Sequence, residues 1–139
     1  MLRYAGWLAL ASLGGAAGCS RHADPTPTAA KPAIADTGAR LFNGNCIACH
    51  QEGARGLPGV YPSLVSSPVL LGDPKDLARW VVRGQRPVSM PAGRYPTLMP
   101  AFGWMKPGDV AALLTYLRSH FGNEASAVDA ATVTEALDE

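Results

Sequence analysis

Apolar side chains recur at helical spacing in three stretches of this chain. In the first, Asp36-Thr37 can cap a helix in which Ala39, Leu41 and Phe42 make an apolar face, and Gly38 and Phe42, four apart, stack on one side. In the second, Asp73-Pro74 opens a short helix over 75–83, closed by Gly84, with Leu77, Trp80 and Val81 as its apolar face. In the third, over about 107–120, Pro107 suits the first turn, and Val110, Leu113, Leu114 and Leu117 repeat at helical intervals. His120 ends that helix, where a cation suits the dipole. Many of the 15 glycines and 12 prolines fall between residues 53 and 108, which predicts long loops between the helices. The expected fold is therefore all-α, with three principal helices.

Composition narrows the picture. A chain of 139 residues, 47% hydrophobic and 17% charged, suits one compact globular domain. A formal charge of +1 gives no bulk electrostatic footprint for nucleic acid, and no internal repeat is present. The charge is unevenly spread. Residues 36–122 hold nine bases and five acids, whereas residues 123–139 hold five acids and neither Lys nor Arg. That Ala-rich acidic tail is expected to be partly helical or disordered and to carry no essential chemistry.

The amino-terminal stretch reads as an address. Arg3 precedes a mostly apolar run over 7–17 that ends in small residues, the layout of a secretory signal peptide over 1–18 and too short to span a bilayer comfortably. Ala16-Ala17-Gly18-Cys19 resembles a bacterial lipobox, although Ala16 stands where such motifs usually carry Leu. Cys19 is thus the expected lipidation site, placing the protein at a membrane on the periplasmic side. The Pro/Thr/Ala-rich segment after it, to residue 35, reads as an extended, semi-rigid linker, with His22 solvated in it.

The chemistry centres on Cys46-Ile47-Ala48-Cys49-His50. C-x-x-C-H is the pattern for covalent attachment of a c-type haem. Two thiols three positions apart can each form a thioether to one edge of a porphyrin, and the following imidazole can ligate the iron. A zinc site fits poorly, because no second C-x-x-C exists and His22 and His120 are far apart in sequence. A thioredoxin-like pair would need a βαβ setting, and nothing nearby alternates like strands. About 87 residues are marginal for an unaided core, so one covalent haem is expected to supply the apolar centre, with the apoprotein poorly folded.

With these residues in view, the chain resembles a class I bacterial cytochrome c over about 36–122. The resemblance implies that Gly38 and Phe42 of the first helix pack across Leu113 and Tyr116 of the last. It implies that Pro62, about a dozen residues after His50, offers its carbonyl to the imidazole N–H, which fixes the tautomer and strengthens the ligand. Leu64 is expected to pack on the porphyrin. The family's Met-Pro-x-aromatic motif is matched by Met99-Pro100-Ala101-Phe102, making Met99 the implied second axial ligand. Met90, Met105, His120 or an open iron site are the alternatives, with Met90 and Met105 otherwise read as soft core filler.

Iron saturated by His50 and Met99 implies a periplasm-facing electron carrier rather than an enzyme. Its partners would be redox proteins: a dehydrogenase, an oxidase or another cytochrome. A cytochrome subunit of a larger periplasmic dehydrogenase or terminal oxidase is the alternative; a five-coordinate haem enzyme or gas sensor is a second. Trp80 reads as core. Arg79, Arg83 and Arg86 read as solvent-facing, with one of them placed to reach a haem propionate. Together with Lys75 and Arg94 they suggest a basic surface that steers an acidic partner.

Overall fold

The computed structural model describes residues 30–86, 88 and 95–139. Helix α1 spans Ala30–Asn45, α2 Ile47–His50, α3 Pro74–Arg83, α4 Pro107–Ser119 and α5 Ala130–Asp138. Among the described residues there is no strand, only an isolated bridge between Leu57 and Tyr61. The all-α expectation holds. No described helix is long and apolar enough to cross a membrane.

Helix α1 begins six residues before the expected start at Asp36. Ala30, Ala33 and Ala35 have the highest helix propensity, and Pro32 falls in the first turn, where its missing N–H costs no bond. Asp36 and Thr37 therefore lie inside the helix, and Thr37 Oγ1 accepts from Arg40 Nη2 at 3.0 Å. The ends of α3 follow local chemistry more closely. The Asp73 side chain accepts from the Lys75 N–H at 2.7 Å, Pro74 opens the first turn, and a left-handed Gly84 closes the helix.

The crossing of α1 over α4 is the frame of the molecule. A Cβ on Gly38 would lie 2.4 Å from the Ala112 carbonyl oxygen and 2.4 Å from Tyr116 Cβ, so only glycine permits this approach. One turn on, Phe42 is 2% exposed and packs its ring against Tyr116 and Phe121, at centroid distances of 6.2 and 5.2 Å. Val110, Leu113, Leu114 and Leu117 of α4 are buried alongside it, as is Met105.

Residues 123–139 do not hang free. Asp129 caps α5 by accepting from the Thr132 N–H at 2.7 Å, and Val133 and Ala136 are fully buried where α5 packs on α3 and α4. The lead-in is fastened by α4. Thr115 Oγ1 exchanges hydrogen bonds with the Val128 backbone, at 3.1 and 2.9 Å. Arg118, only 4% exposed, donates to the carbonyls of Ser126, Leu70 and Gly72. Burial pulls its guanidinium below the ordinary arginine value, offset by the Asp73 charge.

Candidate functional site: a haem-sized cavity

Cys46 joins α1 to α2 without a break in the helical bonding. Its N–H donates to the Phe42 carbonyl at 2.8 Å, and its own carbonyl accepts from Cys49 and His50 at 3.2 and 2.9 Å. Positions i, i+3 and i+4 of such a turn share one face, so Cys46, Cys49 and His50 are presented together. The turn ends abruptly at Gln51, whose φ of 62° is left-handed.

All three residues line a cavity of about 460 Å³. Its walls come from α3 (Trp80), the loop after α2 (Tyr61, Pro62) and the segment before α4 (Leu98, Met99, Pro100, Phe102), with Gly84 and Arg86 beside them. A second, smaller cavity of about 60 Å³ shares Cys46, His50, Pro62, Trp80, Met99 and Phe102, and adds Leu64, Leu77 and Val81. The six residues singled out for haem from the sequence, Cys46, Cys49, His50, Pro62, Leu64 and Met99, thus meet around these two adjoining spaces. Cys19 lies outside the described residues.

The imidazole is oriented from behind. His50 is 9% exposed, and its Nδ1 lies 2.9 Å from the Pro62 carbonyl oxygen. A carbonyl can only accept, so Nδ1 carries the proton and Nε2 keeps its lone pair. Burial lowers the His50 pKa, opposed by the Pro62 bond, and the ring is held neutral as a metal ligand must be. Burial, with the neighbouring Cys49, pushes the Cys46 thiol up to about 11, so before any thioether forms it is protonated at neutral pH. Gly56 makes room for the Pro62 carbonyl. Its φ is +67°, its N–H donates to the His50 carbonyl at 2.6 Å, and a Cβ there would lie 2.6 Å from Pro62 O.

The methionine segment is tied to α3. The Phe102 N–H donates to the Val81 carbonyl at 2.9 Å, and the Met105 N–H donates to the Phe102 carbonyl at 3.0 Å. Of the other candidates, Met105 is 4% exposed in the core and lines neither cavity. His120 turns its Nδ1 to the Tyr116 carbonyl at 2.9 Å and stacks on the Tyr116 ring at 4.1 Å. Met90 and Arg94 lie outside the described residues.

Two expectations are corrected here. Trp80 is half-buried on the wall of both cavities rather than in the packed core. The apolar face of α3 does point inward, but the interior at that end is cavity. The basic side chains of α3 are drawn toward α5: Arg79 is half-buried, while Arg83 stays exposed as expected. Lys75 pairs with Glu139 at 2.9 Å and with Glu135 at 3.4 Å. Arg79 donates to the Ala136 carbonyl at 3.1 Å and pairs with Glu139 and Asp76, and Arg83 donates to the Leu137 carbonyl. Three of the five bases expected to steer a partner are thus committed to α5. Of the three arginines, Arg86 is the one that lines the larger cavity.

A mainly apolar cavity of this volume, with two thiols and a neutral imidazole on one wall, fits a covalently held porphyrin. Zinc fits less well: among the described residues no group of three or more His, Cys, Asp or Glu is placed to hold a metal ion. The helical shell and this cavity define a haem-binding electron carrier. The comparison with known families agrees: the Cytochrome c family matches residues 35–121, and the chain belongs to it, as a class I c-type cytochrome carrying covalent haem c. It is 34% identical over 106 residues to the fructose dehydrogenase cytochrome subunit of Gluconobacter japonicus, covering 70% of this chain and 21% of that protein. It is 31% identical over 94 residues to the gluconate 2-dehydrogenase cytochrome c subunit of Pantoea cypripedii, covering 66% of this chain and 21% of that protein. The chain spans about a fifth of the length of these curated relatives.

Proposed function

We propose that Cys46 and Cys49 carry the haem, that His50 and Met99 are its axial ligands, and that the protein accepts electrons from a periplasmic dehydrogenase. The haem supplies a one-electron iron couple whose potential Met ligation raises. The observation that carries the ligand assignment is the position of Met99. It is the one methionine, among the described residues, on the walls that also hold Cys46, Cys49 and His50. His50 and Met99 together would leave no position on a bound haem iron for substrate or oxygen, as suits a carrier. Tyr61, Trp80 and Arg86 line the larger cavity, and their side chains carry the donor types that would suit the propionates.

A dehydrogenase as partner is supported by the two relatives, each a cytochrome subunit of a dehydrogenase. The chain then serves as such a subunit or as its separate acceptor. The signal-like stretch over 1–18 and the small residues before Cys19 support export and a lipid anchor on the periplasmic side. The test is Met99→Ala in the purified holoprotein. It should lower the midpoint potential, abolish the weak sulfur-to-ferric-iron absorption band and open the reduced protein to carbon monoxide. A wild-type protein that binds carbon monoxide as readily would mean a five-coordinate iron and a haem enzyme or sensor instead.

A further inference from the structure

Asn123 lies just beyond the family match and carries no metal-ligand chemistry, yet it is 3% exposed and its amide is nearly fully used. Nδ2 donates to the Leu64 carbonyl at 2.9 Å and to the Leu117 carbonyl at 2.8 Å, while Oδ1 accepts from the Ser67 N–H at 2.9 Å. One side chain therefore bolts the loop over 64–67 to the last turn of α4. That loop continues directly from Pro62. On its inner side, the Leu64 N–H donates to the Ala54 carbonyl at 2.8 Å, and Ala54 follows the His50 turn through an N–H bond to Gln51 O at 3.0 Å. The Pro62 carbonyl is thus gripped between two fixtures. Gly56 sits against it on the His50 side, and Asn123 holds the chain two residues downstream.

We propose that Asn123 is a positioning residue for the proximal histidine: it holds the Pro62 carbonyl in place against His50 Nδ1, and so tunes the haem potential from just beyond α4. This rests on the reading of His50 as an iron ligand. The physical link is the strength of the Nδ1–H···O bond. A well-placed acceptor makes the imidazole a stronger donor and favours ferric iron, so a loosened acceptor raises the potential. Nothing local would reveal this. Asn123 is 61 residues from Pro62 in sequence, and in the chain it reads only as a polar residue after a helix.

The experiment uses the full-length holoprotein, with Asn123→Ala and Asn123→Asp measured beside Gly56→Ala and Thr115→Val. Asn123→Asp keeps the shape and the acceptor toward Ser67 but removes both N–H donors. Gly56→Ala pushes on the same carbonyl from the other side. Thr115→Val cuts the Thr115–Val128 tie of the carboxy-terminal segment without touching the Pro62 loop. The readouts are the midpoint potential and the exchange rate of the His50 Nδ1 proton by NMR. Both Asn123 variants and Gly56→Ala should raise the potential and speed that exchange about tenfold, the size expected when one hydrogen bond is lost. Thr115→Val should leave both unchanged. Unchanged exchange and potential in both Asn123 variants, or an equal response to Thr115→Val, would overturn the proposal. His50 ring signals that show no hyperfine shift in the ferric wild type would instead remove the ligand reading beneath it. Should Asn123→Ala not accumulate, Asn123→Asp and Gly56→Ala carry the test.

Discussion

Replacing Gly38 by Ala tests the α1–α4 crossing on which the site depends. The added Cβ lies 2.4 Å from the Ala112 carbonyl oxygen and 2.4 Å from Tyr116 Cβ. Both distances fall roughly 1 Å short of ordinary contact, about 3.5 Å between carbons. Neither obstacle is the free end of a flexible side chain, so the two helices must separate. A gap of about 0.5–1 Å forfeits roughly a quarter to a half of each contact of about 0.1–0.2 kcal/mol. Phe42 and Leu113, both within 2% of full burial, flank the crossing. If about half of the roughly 50 contacts of each are across it, the loss is about 1–5 kcal/mol, centred on about 2–3 kcal/mol. Ala in place of Gly in a helix returns about 1 kcal/mol. The net is destabilisation by about 1–2 kcal/mol, within the usual range for overpacking. Gly44 is the control, because it sits in the same helix and a Cβ there meets nothing within 4 Å. Gly44→Ala should therefore stabilise by about 0.5–1 kcal/mol. Guanidinium unfolding of the holoproteins reads this as opposite shifts of the midpoint at constant slope. Equal shifts in the two variants, or a more stable Gly38→Ala protein, would refute the crossing as described.

Other outcomes follow from the site and the tail. Replacing both Cys46 and Cys49 by Ala should yield protein whose remaining haem is extracted by acid–acetone, whereas the native haem stays with the chain. Cys19→Ser should release the protein from membranes into the soluble periplasmic fraction, and mass spectrometry of the native amino terminus should find lipid on Cys19. Arg79→Ala should speed backbone amide exchange in α5 while leaving α4 protected, since Arg79 holds both the Ala136 carbonyl and Glu139. The hydrogen bond from Lys75, its charge and then that of Arg79 hold the Glu139 carboxyl below its ordinary value. The attachment of α5 should therefore be complete above the usual carboxylate pKa and weaken as pH falls through the lowered one, seen as a loss of α5 protection relative to the intrinsic exchange rate, with α4 as reference.

What could be read from the residues alone was local. Cys46, Cys49 and His50 fall on one helical turn by spacing, and the span of α3 follows from Asp73, Pro74 and Gly84, each of which acts on its immediate neighbours. The pairing of Pro62 with His50, and the choice of Met99 over Met105, came through a family resemblance; in the structure Pro62, His50 and Met99 stand around the same cavities, while Met105 is buried in the core. The beginning of α1 escaped the cap signal at Asp36 because helix propensity upstream outweighed it. The fates of Arg79 and Arg83 were not legible at all. An amphipathic helix shows which side is polar, but not whether water or another part of the chain meets it. Here the partner is α5, more than fifty residues downstream. Asn123 and Arg118 belong with them. Each is an ordinary polar residue in sequence, and each becomes buried because loop carbonyls from 46 to 59 residues away need donors that water no longer supplies. Local spacing encodes which side chains share a turn; only packing decides which distant backbone groups must be satisfied, and by whom.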